Sequence, residues 1–261
     1  MKTNEAYLPG YDSHVTDFMA LRTAPSHAAF VLPKLRPGLR LLDIGCGPGT
    51  ITLDLARLVA PGEAAGLDRE NSQIEKARES AKRRGVTNVR FDVGSIYELP
   101  FADAAFDVVF AHAVFEHLRE PLAALSEIHR VLTKGGLVAL RSPDWGGYLV
   151  WPATPQLDAA LIYYQTLQTQ RGGDVQVGRK FKTLLRRAGF CNRQFSASFE
   201  CYESLDLIGE YLARGIEASI DGSANSSKRQ QIEGFADALR NWYRSEDGVF
   251  AQSWCEIIGY K

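Results

Sequence analysis

LLDIGCGPGT, residues 41–50, sets Gly45, Gly47 and Gly49 at every second position directly behind an apolar run. A short apolar run bounded by a glycine-rich turn reads as a buried strand. Residues 51–59 then carry apolar side chains at helical spacing until Pro61-Gly62 halts them. A glycine loop between a strand and a helix lets the backbone approach a ligand closely, and the free N–H groups at the helix start favour an anion.

The same rhythm continues on either side. Strands are expected at 40–44, 64–67, 89–93, 106–110 and 137–141, and helices at 51–59, 71–84 and 121–132. Gly85 caps the second helix behind Lys82, Arg83 and Arg84, a solvated basic end, and Lys134-Gly135-Gly136 stops the third. Repeated strand-helix-strand units demand right-handed crossovers, hence an α/β fold with a doubly wound, mostly parallel sheet covered on both faces. After Ser142 the rhythm breaks. SPDWGGYLVWPATP, 142–155, suits a loop at the carboxyl edge of the sheet, 157–170 and 180–188 read as helices, and 171–178 reads as a loop. Two late strands, 191–202 and 253–259, are separated by a helical stretch from 203 to 244 that contains a flexible turn, GSANSS, at 222–227. So long an excursion between paired strands reads as a helical lid over a substrate. The expectation is one domain, with 1–36 as a cap segment, 37–145 as the cofactor-binding core and 146–261 as covering insertions and final strands.

Composition narrows the function classes. The 261 residues are 45% apolar, and 30 Lys and Arg balance 31 Asp and Glu for a net charge of −1. That balance leaves no electrostatic footprint for nucleic acid or an anionic membrane surface, so a diffusible small-molecule partner is expected. Residues 1–10 lack a basic region followed by an apolar stretch, and no window approaches a membrane span. Cys46, Cys191, Cys201 and Cys255 show no CxxC spacing and read as reduced thiols that serve as small core residues. A cytoplasmic protein, monomeric or homodimeric, is expected.

Two anions suit the glycine loop: the pyrophosphate of a dinucleotide and the carboxylate of S-adenosylmethionine. A dinucleotide loop asks for G-x-G-x-x-G/A, which would put Thr50 at the third position. The spacing present is Asp43-x-Gly45-x-Gly47-x-Gly49, and a carboxylate at Asp43 is awkward beside pyrophosphate but pairs with an α-ammonium. Asp68, followed by Arg69, stands where an open α/β sheet offers a carboxylate to ribose hydroxyls. Both ligands have a ribose, so Asp68 does not choose between them.

The next motifs do. VRFDVGSIYELPFADAAFDVVFAHAVFEHL, 89–118, and EIHRVLTKGGLVAL, 127–140, resemble the class I S-adenosylmethionine-dependent methyltransferases, in particular the subgroup of ubiquinone/menaquinone C-methyltransferases and natural-product methyltransferases. The resemblance is strong over 40–145 and extends to the last third only in layout. It implies S-adenosylmethionine as cofactor and a Rossmann-like, seven-stranded sheet with its last strand antiparallel. It implies that Gly45, Cys46, Gly47 and Gly49 line the methionine and ribose side, that Asp43 lies near the amino group, and that Asp68 and Arg69 lie at the ribose. Gly94, Ser95 and Ile96 then bound the adenine, while Ala111 and His112 lie beside the methionyl group. Where the family carries Asp this chain has Ser95, whose neutral hydroxyl is a weaker acceptor than a carboxylate and also suits a helix cap. TKGG replaces the family's Pro-Gly-Gly.

His112 and Glu116 are four apart and so are expected to share a helix face, with His117 adjacent. A metal site there is the lesser reading, because the three groups form no recognised ligand set. Transfer from a sulfonium needs little beyond in-line positioning and exclusion of water, so a general base is optional. The candidate bases are His14 and His112, with Tyr11 and Arg22 in the segment that would fold over the cofactor. Trp145, Tyr148, Trp151, Tyr163 and Tyr164 either line a pocket for an apolar or planar acceptor or pack the lid. The expected activity is methyl transfer to an O, N or C atom of a small metabolite. The alternatives are a cofactor-binding relative that performs a cyclisation, and an NAD-dependent oxidoreductase.

Overall fold

A computed structural model describes residues 8, 10–11, 13–202, 204–220 and 225–261. In chain order its elements are α1 (Ser13–Ala20), α2 (Ala24–His27), β1 (Leu41–Ile44), α3 (Thr50–Val59), β2 (Ala64–Asp68), α4 (Asn71–Arg84), β3 (Val89–Val93), β4 (Phe106–His112), α5 (Pro121–Val131), β5 (Leu132–Pro143), β6 (Leu149–Trp151), α6 (Pro155–Gln170), α7 (Phe181–Arg187), β7 (Cys191–Cys201), α8 (Leu205–Glu217), α9 (Ser226–Tyr243) and β8 (Val249–Tyr260).

The strands form one sheet in the order β3-β2-β1-β4-β5-β8-β6, with β7 also paired to β8. The first five strands are mutually parallel, and β8 enters antiparallel between β5 and β7. The order reverses at β1, where the chain leaves β1 and β4 toward opposite faces of the sheet, the switch point at whose carboxyl ends such sheets hold a ligand. Seven strands were expected and eight are present. The extra one is β6, inside the segment read as a loop, where Leu149 and Trp151 are exposed and only three residues pair with β8. So short a run carries no periodicity to betray it.

Side chains alternate between two cores. Leu42, Ile44, Val109, Val138 and Leu140 pack beneath α5 and α7, while Leu41, Val108, Phe110 and Ala139 pack beneath α2, α3 and α4. A third core joins α6, α8 and α9 with Trp145, Tyr164 and Phe250. Most of the aromatic set therefore builds the lid. Tyr164 is 1% exposed with its ring 5.3 Å from that of Trp145, Tyr163 packs on Phe235, and Trp151 is exposed. Two thiols also depart from the core reading: Cys191 and Cys201 are exposed on β7, while Cys46 and Cys255 are buried. The third helix does stop near Gly135-Gly136, but β5 already begins at Leu132. The glycines lie where the pairing slips from Phe106–Leu132 to Val108–Leu137. Of the GSANSS turn, residues 222–224 lie outside the described residues.

Candidate active site

The site starts where β1 ends. Gly45, Gly47 and Gly49 hold φ of +70°, +51° and +79°, left-handed values that penalise any residue with a Cβ. A Cβ on Gly45 would stand 2.3 Å from Val114 Cγ2, and one on Gly49 would stand 2.8 Å from Ala77 Cβ. The loop is tied to β2, because the N–H groups of Gly45 and Cys46 both donate to the Leu67 carbonyl, at 2.7 and 3.1 Å.

Asp68 closes β2 beside that loop. Its Oδ2 accepts from the Gly47 N–H at 3.0 Å and its Oδ1 from the Glu70 N–H at 2.9 Å, so two backbone donors fix the carboxylate. Burial nonetheless raises its pKa, against the pull of those two bonds. Asp43 is buried one strand away, accepts from the Thr52 hydroxyl at 2.5 Å, and is pushed up to about 7 by burial. Gly94 donates to the Asp68 carbonyl at 2.9 Å, which brings β2, the glycine loop and residues 94–96 together. Ser95 Oγ accepts from the Tyr97 N–H at 3.2 Å in a tight turn with no helix behind it, and Ile96 is buried. Arg69 meets the Tyr11 phenol, whose pKa burial raises despite that guanidinium. Tyr11 therefore stands beside the end of β2, close to Asp68.

A second group lies beyond β4 and β5. His112, Arg141, Glu256 and Ser196 stand in register across β4, β5, β8 and β7, so their side chains share one face. Arg141 is 3% exposed and ion-paired at 3.4 Å to both Glu256 and Glu200, and its guanidinium lies 4.1 Å over the Trp254 ring. Glu200 also meets His27 of α2 at 3.3 Å. Its carboxyl, pulled up by burial, is carried down to about 2 by the His27 hydrogen bond and the charges of His27, Arg22 and Arg141. Arg22 acts on His112, Glu116, His117 and Tyr202 as well, so the cap adds a cation to this cluster.

His112 and Glu116 do not share a helix face. β4 runs through His112, Ala113 turns the chain at φ +56°, and 115–117 form a single 3-10 turn. Glu116 thus turns toward Ser142, whose hydroxyl donates to it at 2.8 Å, while His112 stacks on Trp254. Among the described residues no group of three or more His, Cys, Asp or Glu side chains is arranged to hold a metal ion. Ala111 is buried at the end of β4, next to Ile44. The side chain of His14 lies outside the described residues. Sequence reasoning did not single out His27, Arg141, Glu200, Trp254 and Glu256, which the fold brings into this cluster. Arg141 carried a usable signal, a charge ending the otherwise apolar strand 137–141.

Comparison with known proteins decides between the two anions. The methyltransferase-domain family matches residues 35–189. An uncharacterised methyltransferase of Schizosaccharomyces pombe is 30% identical, covering 97% of this chain and 95% of its own. A demethylmenaquinone methyltransferase of Staphylococcus aureus is 37% identical, but over 40% of this chain and 43% of its own, so the likeness to quinone-modifying enzymes is confined to part of the chain. Among solved structures, the Haemonchus contortus phosphoethanolamine N-methyltransferase 2, in complex with phosphomonomethylethanolamine and S-adenosylhomocysteine, superposes with a TM-score of 0.58 at 19% identity, covering 91% of this chain and 53% of that one. No described helix is long and apolar enough to cross a membrane. The chain belongs to the class I methyltransferases, enzymes that take their methyl group from S-adenosylmethionine.

Proposed function

We propose that this enzyme methylates a small molecule held between the carboxyl ends of β4 and β5 and the cap and lid elements. The observation that carries this reading is the buried polar cluster of His27, His112, Arg141 and Glu200, anchored on β4 two residues before Val114, the neighbour of Gly45. Charged side chains placed beyond the cofactor crevice at this cost in desolvation fit recognition of a second molecule.

The residues present fit S-adenosylmethionine. Gly47, where an added Cβ would meet nothing nearer than Met19 Sδ at 4.0 Å, supports a loop whose backbone a ligand can approach closely. Each Asp68 oxygen accepts one backbone bond and keeps lone pairs for ribose hydroxyls. Asp43, uncharged up to about pH 7 by burial, regains a partner for its charge beside an α-ammonium. Gly94, Ser95 and Ile96 bound the adenine, Cys46 and Ala111 wall the crevice, and Arg69 with Tyr11 covers it. Bound S-adenosylmethionine supplies an electrophilic methyl group. The chain's part is to hold the acceptor atom in line with it at about 3 to 3.5 Å and keep water out, which Tyr11, Arg22 and the lid helices support.

The acceptor atom, O, N or C, stays open in this reading. The chain acts as one domain, 1–36 capping the 37–145 core and 146–261 covering the acceptor. The balanced charge and the free thiols support a cytoplasmic enzyme, monomeric or homodimeric. The test is transfer of an isotopically labelled methyl group to a cell extract, fractionated by size and read by mass. Label is expected in molecules below about the size of a drug-like ligand, for which concave pockets are suited; label confined to protein or nucleic acid contradicts the proposal. Asp68→Ala is expected to weaken S-adenosylhomocysteine binding by about 1 to 3 kcal/mol in calorimetry.

A further inference from the structure

Among the described residues, two buried ring nitrogens at this site have no hydrogen-bond partner: His112 Nε2 and Trp254 Nε1. His112 is 5% exposed and Trp254 4%, and the two rings stack with centroids 4.8 Å apart at 23°. An indole nitrogen only donates. The imidazole is in the same condition. Arg141 Nη1 lies 3.4 Å from His112 Nδ1, and a guanidinium has donors only, so Nδ1 accepts and the neutral ring carries its proton on Nε2. Burial, with the charges of Arg22, Arg141 and His27 behind it, holds the ring neutral.

The pair is held in place by its neighbours. Arg141 lies over the indole and is tied to Glu200 and Glu256, Ser196 and Ser198 donate to Glu256 at 2.8 and 2.6 Å, and His27 stands edge-on to His112 at 5.3 Å. Two N–H donors are thus preorganised and left unpaired, a condition that buried polar groups in folded proteins rarely keep without a ligand or water to meet it.

We propose that His112 and Trp254 donate to a proton-free oxygen of the methyl acceptor: a carbonyl, enolate or carboxylate oxygen. This rests on the reading of the cluster as the acceptor site. An oxygen with two lone pairs and no proton satisfies both donors at once, whereas an ammonium or amide N–H in its place leaves both unpaired. The cation of Arg22, whose field reaches His112, favours negative charge on that oxygen. In this arrangement His112 gives a hydrogen bond and takes no proton.

The test uses 15N-labelled protein saturated with S-adenosylhomocysteine, its ring nitrogens followed by NMR, with His112→Gln and Trp254→Phe assigning the signals. His112 is expected neutral with its proton on Nε2 from pH 5 to 8. Benzoate or acetophenone is expected to move both ring N–H protons downfield, while toluene, the same ring without oxygen, leaves them in place. Each variant is expected to weaken binding of the responding probe about tenfold, as loss of one hydrogen bond does. A response to benzoate alone identifies a carboxylate, and a response to acetophenone a carbonyl. A charged or Nδ1-protonated His112, signals unmoved by both oxygen probes, or signals moved as far by S-adenosylhomocysteine alone would overturn the proposal, the last by giving the donors to the cofactor. Failure of S-adenosylhomocysteine to bind in calorimetry would instead count against the cofactor site.

Discussion

Glu116 is a carboxyl that burial lifts from an ordinary 4.5 to about 7, against the opposing hydrogen bonds from its own backbone N–H and from the Ser142 hydroxyl at 2.8 Å. Between those values the folded protein binds more protons than the unfolded chain, so its contribution to stability is complete below about pH 4.5 and is lost as pH rises through about 7. The loss amounts to about 3 kcal/mol at one pKa unit per 1.4 kcal/mol. Glu116→Gln keeps an acceptor for Ser142 without the charge, so the variant is expected to gain on the native protein between pH 5 and pH 8. Urea denaturation at both values checks this, and a difference that does not change with pH contradicts it. At Gly49, φ of +79° and the approach of a Cβ to Ala77 add two penalties. Gly49→Ala is expected to cost at least about 2 kcal/mol, of which the left-handed backbone accounts for about 1 to 2. An unchanged urea midpoint would show that the loop relaxes freely.

At the scale of elements, legibility followed the local signal. The helix 71–84 and the strand 89–93 stand where periodicity and the Gly85 cap put them, and Gly85 does take the left-handed conformation. β6 was missed because three residues, two of them exposed, leave no pattern, and the start of β5 because Gly135-Gly136 is an irregularity of pairing that looks like a terminator. The helical stretch 203–244 divides into α8 and α9, held together by Arg240, which donates to both Glu210 and Glu217. The Asn225 side chain starts α9 by accepting from the Lys228 N–H at 2.9 Å. Asn225→Ala is expected to destabilise the protein by about 1 kcal/mol through loss of that cap, checked by thermal melting. An unchanged melting temperature would mean that packing of α9 on α8 alone sets its start.

Across the whole molecule, the cap and the lid meet over the sheet. Phe18 of α1 packs against Tyr211 at 5.0 Å and Tyr202 at 6.2 Å, while His27 of α2 pairs with Glu200 of β7, 173 residues away. The glycine loop and Asp68 were legible because they lie within 25 residues of one another in a repeating pattern. The polar cluster was not: β4 and β5 place Arg141 beside His112, but only the entry of β8 between β5 and β7 brings Glu200 and Trp254 to them. Tyr11 and Arg22 lay between: their segment was expected over the cofactor, and their partners there emerge only in the folded chain. Phe18→Ala is expected to loosen the cap and raise KM for the methyl donor with little change in kcat, since it removes binding common to ground and transition states. A lowered kcat with KM unchanged would instead tie Phe18 to the chemistry. The most direct measurement for the account as a whole is a crystal structure with S-adenosylhomocysteine. The account predicts ribose hydroxyls on the Asp68 carboxylate, the amino-acid end along Gly45, Gly47 and Gly49, and the sulfur turned toward His112; a nucleoside bound away from Asp68 would contradict it.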